Sequence, residues 1–180
     1  MKKMMELACE LPDGIECSYS GGVFKCKRGN LENSRQIKFP GAKIEISKNS
    51  MKIIKEKGNR KDFALLATNI AHVKNMISGL DKKFIYKLEI CHVHFPMSVK
   101  IQNKEIVIEN FLGEKYKRKA KILEEVEVEI SGNIITIKGH DLEKTGQTAA
   151  NLEKATRVPK KDRKIFQDGI FIVSKNGGNI

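Results

Sequence analysis

The chain has 180 residues, 40% of them apolar, enough for one large domain or two small ones. Its net charge of +12 draws acidic partners, a polyanion above all, because each Lys or Arg that neutralises a phosphate releases a counterion. There is no run of 18 apolar residues and no apolar stretch behind the N-terminal lysines, so neither a membrane span nor a signal peptide is expected. The four cysteines, Cys9, Cys17, Cys26 and Cys91, contain no Cys-x-x-Cys pair, so the reading is reduced, mostly buried thiols and no structural zinc.

In chain order, strands are expected at 15–20, 22–27, 43–47 and 51–56. The Gly-Gly of "SYSGGVF" reads as a hairpin turn between the first two. "KIEIS" alternates with period two, as a half-buried strand does. A helix follows from Arg60 to Ser78, with Asn59 as N-cap and Gly79 as the residue that stops it. Phe63, Leu66, Ile70, Val73 and Ile77 recur at helical spacing and are assigned to one core-facing stripe.

"KFIYKLEI", residues 83–90, carries Phe84, Tyr86, Leu88 and Ile90 on one face and ends the first half or bridges to the second. Further strands are expected at 97–102, 105–110, 117–122, 125–130 and 133–138. A second helix runs from Leu142 to Thr156 with Asp141 as N-cap, and Gly146 inside it marks close packing or contact with a partner.

Shifting the chain by 82 residues lays one half over the other. Phe24 and Cys26 fall on Ile106 and Ile108, Ile44 and Ile46 on Val126 and Val128, and Asn69 on Asn151. The expected fold is therefore α+β, a tandem duplication of a small domain whose antiparallel-rich sheet is covered by one helix. The domains are placed at 1–82 and 83–180.

No catalytic residue is assigned. There is no Gly-x-Ser-x-Gly, no Walker loop and no dinucleotide fingerprint. "CHVHFP" offers Cys91, His92 and His94, and a strand there would put the two histidines on one face. No second ligand pair at metal spacing completes the set, so no metal or other cofactor is assigned. Glu127 and Glu129 are read as the solvated face of an alternating strand.

Cations gather in three stretches: Lys55, Lys57, Arg60 and Lys61; Lys115, Lys117, Arg118, Lys119 and Lys121; and Arg157, Lys160, Lys161, Arg163 and Lys164. Together they fit contacts to a phosphate backbone, with Tyr116 and Phe166 available to stack on unpaired bases or to anchor the loops.

"GNRKDFALLATNIAHVKNMISG", "HFPMSVKIQNKEIVIENFLGEKYKRKAKI", "GQTAANLEKAT" and "KDRKIFQDGIFIV", in this order, resemble the universal large-subunit ribosomal protein family L-six in its archaeal form, called L-nine in eukaryotes. The resemblance spans residues 10–173. It implies a non-enzymatic tandem duplication that binds large-subunit rRNA, chiefly through its second domain, near the sarcin–ricin region where translation factors dock. It also implies neighbouring ribosomal proteins as partners, a cytoplasmic place in the ribosome, no membrane and no homo-oligomer. By that analogy the rRNA-binding residues are Lys115, Lys117, Arg118, Lys119, Arg157, Lys160, Lys161, Arg163 and Lys164. Asp168-Gly169 turns the chain, and Ile170 to Val173 pin the tail as a strand.

The bacterial form of this tail, Arg-x-Pro-Glu-Pro-Tyr-Lys-Gly-Lys-Gly, survives here only as Arg157 and Pro159, so bacterial contacts do not carry over. The Cys and extra His of "CHVHFP" are not features of the family and receive no role. A free-standing regulatory RNA binder fits the charge and the repeat equally well, but not the ordered motif series.

Overall fold

The computed structural model describes residues 3–47, 50–93, 95–159, 161–162 and 164–179. The chain divides into two compact units, residues 1–82 and 83–180.

The first unit begins with β1 (Lys3–Glu10), β2 (Glu16–Ser20), β3 (Val23–Arg28) and β4 (Leu31–Gln36). It continues with β5 (Lys43–Ile46), β6 (Ser50–Gly58) and α1 (Arg60–Asp81). Every strand pairing is antiparallel, and the strands form two sheets, β1-β6-β5 and β2-β3-β4. Helix α1 packs on strands of both. Phe24, Ile53, Leu66 and Val73, all 0–1% exposed, sit at the centre of the core between them. Each such side chain contributes roughly 1.5–3 kcal/mol by leaving water. The expected Gly-Gly hairpin joins β2 to β3, with φ of +59° at Gly21 and +82° at Gly22, the two positive values a two-residue turn of this hand requires.

Helix α1 starts where Asn59 predicts. The Asn59 Oδ1 accepts from the Asp62 N–H at 2.9 Å, and the Asp62 carboxylate accepts from the Asn59 N–H at 2.8 Å, a reciprocal capping box. Gly79 does not stop it. The helix runs on to Asp81 because one more turn buries Leu80, which continues the stripe of Leu66, Ile70, Val73 and Ile77. Phe63 keeps the phase of that stripe but is 47% exposed, since the core cluster begins one turn later at Leu66.

The second unit repeats this order. It contains β7 (Phe84–Cys91), β8 (Ser98–Gln102), β9 (Glu105–Glu109), a short 3-10 turn (Phe111–Gly113) and β10 (Arg118–Lys121). Then come β11 (Val126–Ser131), β12 (Ile134–Gly139) and α2 (Leu142–Ala155). The sheet β10-β9-β8 corresponds to β4-β3-β2, and the run β11-β12-β7 corresponds to β5-β6-β1. The duplication is thus one of topology as well as of order, with each unit's strands divided between two sheets rather than held in one. "KFIYKLEI" becomes β7, the middle strand of the larger sheet, with Tyr86, Leu88 and Ile90 buried.

Gly146 is explained by close packing: a Cβ there would meet the Tyr86 hydroxyl at 3.2 Å. Asp141 caps α2, its carboxylate accepting from the N–H groups of Glu143 and Lys144 at 2.8 and 3.3 Å.

One addition breaks the symmetry of the repeat. After α2 the chain makes a loop of cations and returns as β13 (Gly169–Lys175) and β14 (Gly178–Asn179). β13 pairs antiparallel with β7, on the edge that β1 leaves unpaired in the first unit's sheet.

Candidate nucleic-acid interface

The second unit brings two of the three basic stretches together, and Arg118 joins them. It stands at the start of β10, with its guanidinium 4.4 Å above the Phe111 ring. Its Nε donates to Glu114 Oε2 at 2.8 Å and its Nη2 to Glu114 Oε1 at 2.6 Å, a two-pronged pair only an arginine can make. The remaining nitrogen, Nη1, donates to the backbone carbonyls of Ala155 at 2.8 Å and Arg157 at 3.2 Å. Arg118 therefore fastens the end of α2 and the start of the tail loop to β10. Glu114 is held below the usual carboxylate range, first by the hydrogen bond from Arg118, and by the charges of Arg118 and Lys161.

The tail loop is held at several further points. The buried Thr156 hydroxyl accepts from the Ile170 N–H at 2.9 Å, closing the loop at its base. Asp162 organises the middle: its carboxylate accepts from the Lys164 N–H at 2.9 Å, and its carbonyl accepts from the Phe166 N–H at 2.9 Å. The Lys161 ammonium sits 4.3 Å over the Phe166 ring. Asp168, 4% exposed, accepts from the Val93 N–H at 2.7 Å and ties the loop's exit to the segment just past β7. Gly169 follows because a Cβ at this position would meet the Phe171 ring at 2.9 Å. Between the loop and α2 lies an open cleft of about 580 Å³, walled by Lys154, Arg157, Lys161 and Phe166 among others.

The nine assigned cations differ in what they have left to offer. Lys117 is paired with Glu109 at 2.7 Å and Lys119 with Glu105 at 3.1 Å, though both lysines remain largely exposed. Arg118 is committed internally. Lys115, Arg157 and Lys164 are exposed, and among the described residues none has a side-chain hydrogen bond or ion pair. Lys161 is exposed above Phe166. Lys160 and Arg163 lie outside the described residues. Tyr116, 87% exposed between Lys115 and Lys117, presents a bare ring beside the cations, whereas Phe166 is half-buried. In the first unit Lys55 is occupied by Asp62 at 2.8 Å and by the Pro40 carbonyl at 3.0 Å, while Lys57, Arg60 and Lys61 are exposed.

The sequence reading placed Cys91, His92 and His94 on one strand. β7 ends at Cys91, so His92 lies beyond it, and His94 is outside the described residues. Among the described residues no three His, Cys, Asp or Glu side chains gather as a metal would need. No helix of the described residues is long and apolar enough to cross a membrane.

The family described as Ribosomal protein L6 matches residues 95–169, a span that holds both basic stretches of the second unit. A large ribosomal subunit protein uL6 of Methanosarcina mazei is 42% identical over 177 residues, covering 97% of this chain and 99% of that one. Its counterpart in Archaeoglobus fulgidus is 39% identical over 175 residues, covering 94% and 89%. The chain belongs to the uL6 family of large ribosomal subunit proteins. The family resemblance drawn from the four motifs and the duplicated α+β fold are both confirmed. The uL6 counterpart in Methanococcus vannielii, 39% identical over 168 residues, gives the same archaeal affinity. In uL6 terms, the part added to the repeat is the tail that follows α2.

Proposed function

We propose that this uL6 chain holds large-subunit, 23S-type rRNA through the second unit, with Lys115, Arg157, Lys160, Lys161, Arg163 and Lys164 on phosphates and Tyr116 on an unpaired base. Lys117 and Lys119 add charge from β10 and its approach, and Arg118 fixes the frame. The supporting observation is the way two cationic stretches are locked together: Arg118 binds the carbonyls of both Ala155 and Arg157. A surface fixed in this way loses less entropy on docking than a loose arm. The role is structural rather than enzymatic, in the cytoplasm, beside neighbouring ribosomal proteins and near the translation-factor docking, sarcin–ricin region. That location rests on the family resemblance. With domain limits at 1–82 and 83–180, this reading assigns rRNA binding to the second unit.

The test is the quadruple variant Lys160→Gln, Lys161→Gln, Arg163→Gln, Lys164→Gln, bound to a large-subunit rRNA transcript over a range of salt. With the circular dichroism of the native fold kept, affinity falls and the salt dependence flattens by about 0.7–0.9 in logarithmic slope per lost phosphate contact. Unchanged affinity at moderate salt would contradict this assignment.

A further inference from the structure

The first unit contains a pair of thiols that rRNA binding does not use. Cys17 on β2 and Cys26 on β3 face each other directly in the hairpin register, with their sulfurs 2.9 Å apart. Both are free thiols. Cys26 is fully buried, while Cys17 is partly exposed.

The register favours a bond between them. In a two-residue hairpin the pair flanking the turn, here Ser20 and Val23, exchanges hydrogen bonds, and the pairs then alternate. Counting away from the turn, Cys17 and Cys26 occupy a non-hydrogen-bonded position. There the Cα atoms stand about 4.5 Å apart with side chains close, within the span a disulfide bridges.

We propose that Cys17 and Cys26 are a redox modification site: a dithiol that closes to an intramolecular disulfide by exchange with a low-molecular-weight disulfide. The Cys17 thiolate attacks one sulfur of that reagent, forms a mixed disulfide and expels one thiolate. Cys26 then loses its proton and attacks the Cys17 sulfur, expelling the second thiolate. Two protein thiols are oxidised by two electrons, and one reagent disulfide is reduced to two thiols.

The two cysteines are unlike in the way these roles need. The hydrogen bond from Cys26 lowers the pKa of Cys17, so Cys17 is the attacking thiol. That same bond, with burial and the Cys17 charge, keeps Cys26 protonated. Once Cys17 is capped, both the bond and the charge are gone and Cys26 is released to resolve the intermediate. The hairpin is already closed by Gly21-Gly22, so the new link closes a short loop and acts as a chemical mark more than as a stabiliser. Cys9 lies in the same core and is the competing partner. Its thiol points to the Glu10 carbonyl at 3.5 Å, and burial raises its pKa.

The full native chain is incubated with excess oxidised glutathione, quenched by alkylation and mapped by non-reducing peptide mass spectrometry. The expected product has lost two hydrogens, carries a Cys17–Cys26 link and reverts with dithiothreitol. Cys26→Ala should stop at glutathione on Cys17, and Cys17→Ser should leave Cys26 a thiol. Because a change at the buried Cys26 tests the fold as well, the wild-type map decides. Persistent thiols at both positions, glutathione that accumulates on wild-type Cys17 without closing, or a preferred link through Cys9 or Cys91 would each overturn the proposal.

Discussion

The N–H of Ile170 donates to the Thr156 hydroxyl at 2.9 Å in the buried base of the tail loop. One hydroxyl thereby closes a thirteen-residue excursion that carries five cations. Thr156→Val keeps the shape and removes the acceptor, leaving the Ile170 N–H buried and unpaired. The expected cost is about 1–3 kcal/mol of unfolding free energy, read by urea titration. Thr156→Ser should recover most of it.

Arg118 is expected to act on RNA binding through the frame and not through a phosphate. Arg118→Lys keeps the charge but loses the paired grip on Glu114 and one or both carbonyl contacts. Stability should drop by about 2 kcal/mol, and rRNA affinity should fall with the salt slope nearly unchanged. Lys115→Gln should do the reverse, flattening the slope by about 0.7–0.9 with no loss of stability. Titrations of both variants over a salt series separate a positioning residue from a contact.

Much of the architecture was legible because local signals agreed with the fold. The Gly21-Gly22 hairpin, the Asn59 and Asp141 caps and the strands of the second half each carry turn or alternation chemistry that tertiary packing did not override. β1 escaped notice because half of "KMMELACE" (Lys3, Glu6, Ala8 and Glu10) is of residue types depleted in strands, and its pairing with β6 sets it as one. β4, "LENSRQ", is likewise polar and is set by β3.

At the interface the cations themselves were visible by residue type, but their states were not. That Lys117 meets Glu109, Lys119 meets Glu105 and Arg118 meets two carbonyls 37 and 39 residues away depends on strand register and on where α2 ends. Spacing in sequence encodes neither.

Gly146 offers a check on packing within the second unit. An exposed helical Gly→Ala change gains roughly 1 kcal/mol. At Gly146 the new methyl meets the Tyr86 hydroxyl at 3.2 Å, so most of that gain should be lost. In a Tyr86→Phe background the ring carbon at 3.5 Å allows ordinary contact, and Gly146→Ala should become clearly stabilising. A double-mutant cycle in urea reads the difference.

The Glu114–Arg118 pair predicts an acid response. Hydrogen bonding from Arg118 lowers the Glu114 pKa from its ordinary 4.5 in the folded state. A lowered carboxylate contributes stability that is full above its unfolded value and lost as pH falls through the folded one. Wild type should therefore exceed Glu114→Gln in stability at neutral pH, and the gap should narrow below pH 4.5 until the two curves meet. Urea midpoints measured across that range test the sign.

The proposed rRNA-facing surface is tested most directly by ultraviolet crosslinking of native large subunits, followed by mass spectrometry of this chain's peptides. RNA adducts should fall on the segments around Tyr116 and from Arg157 to Phe166. Adducts confined to residues 1–82, with both of those segments clean, would contradict the assignment of RNA binding to the second unit.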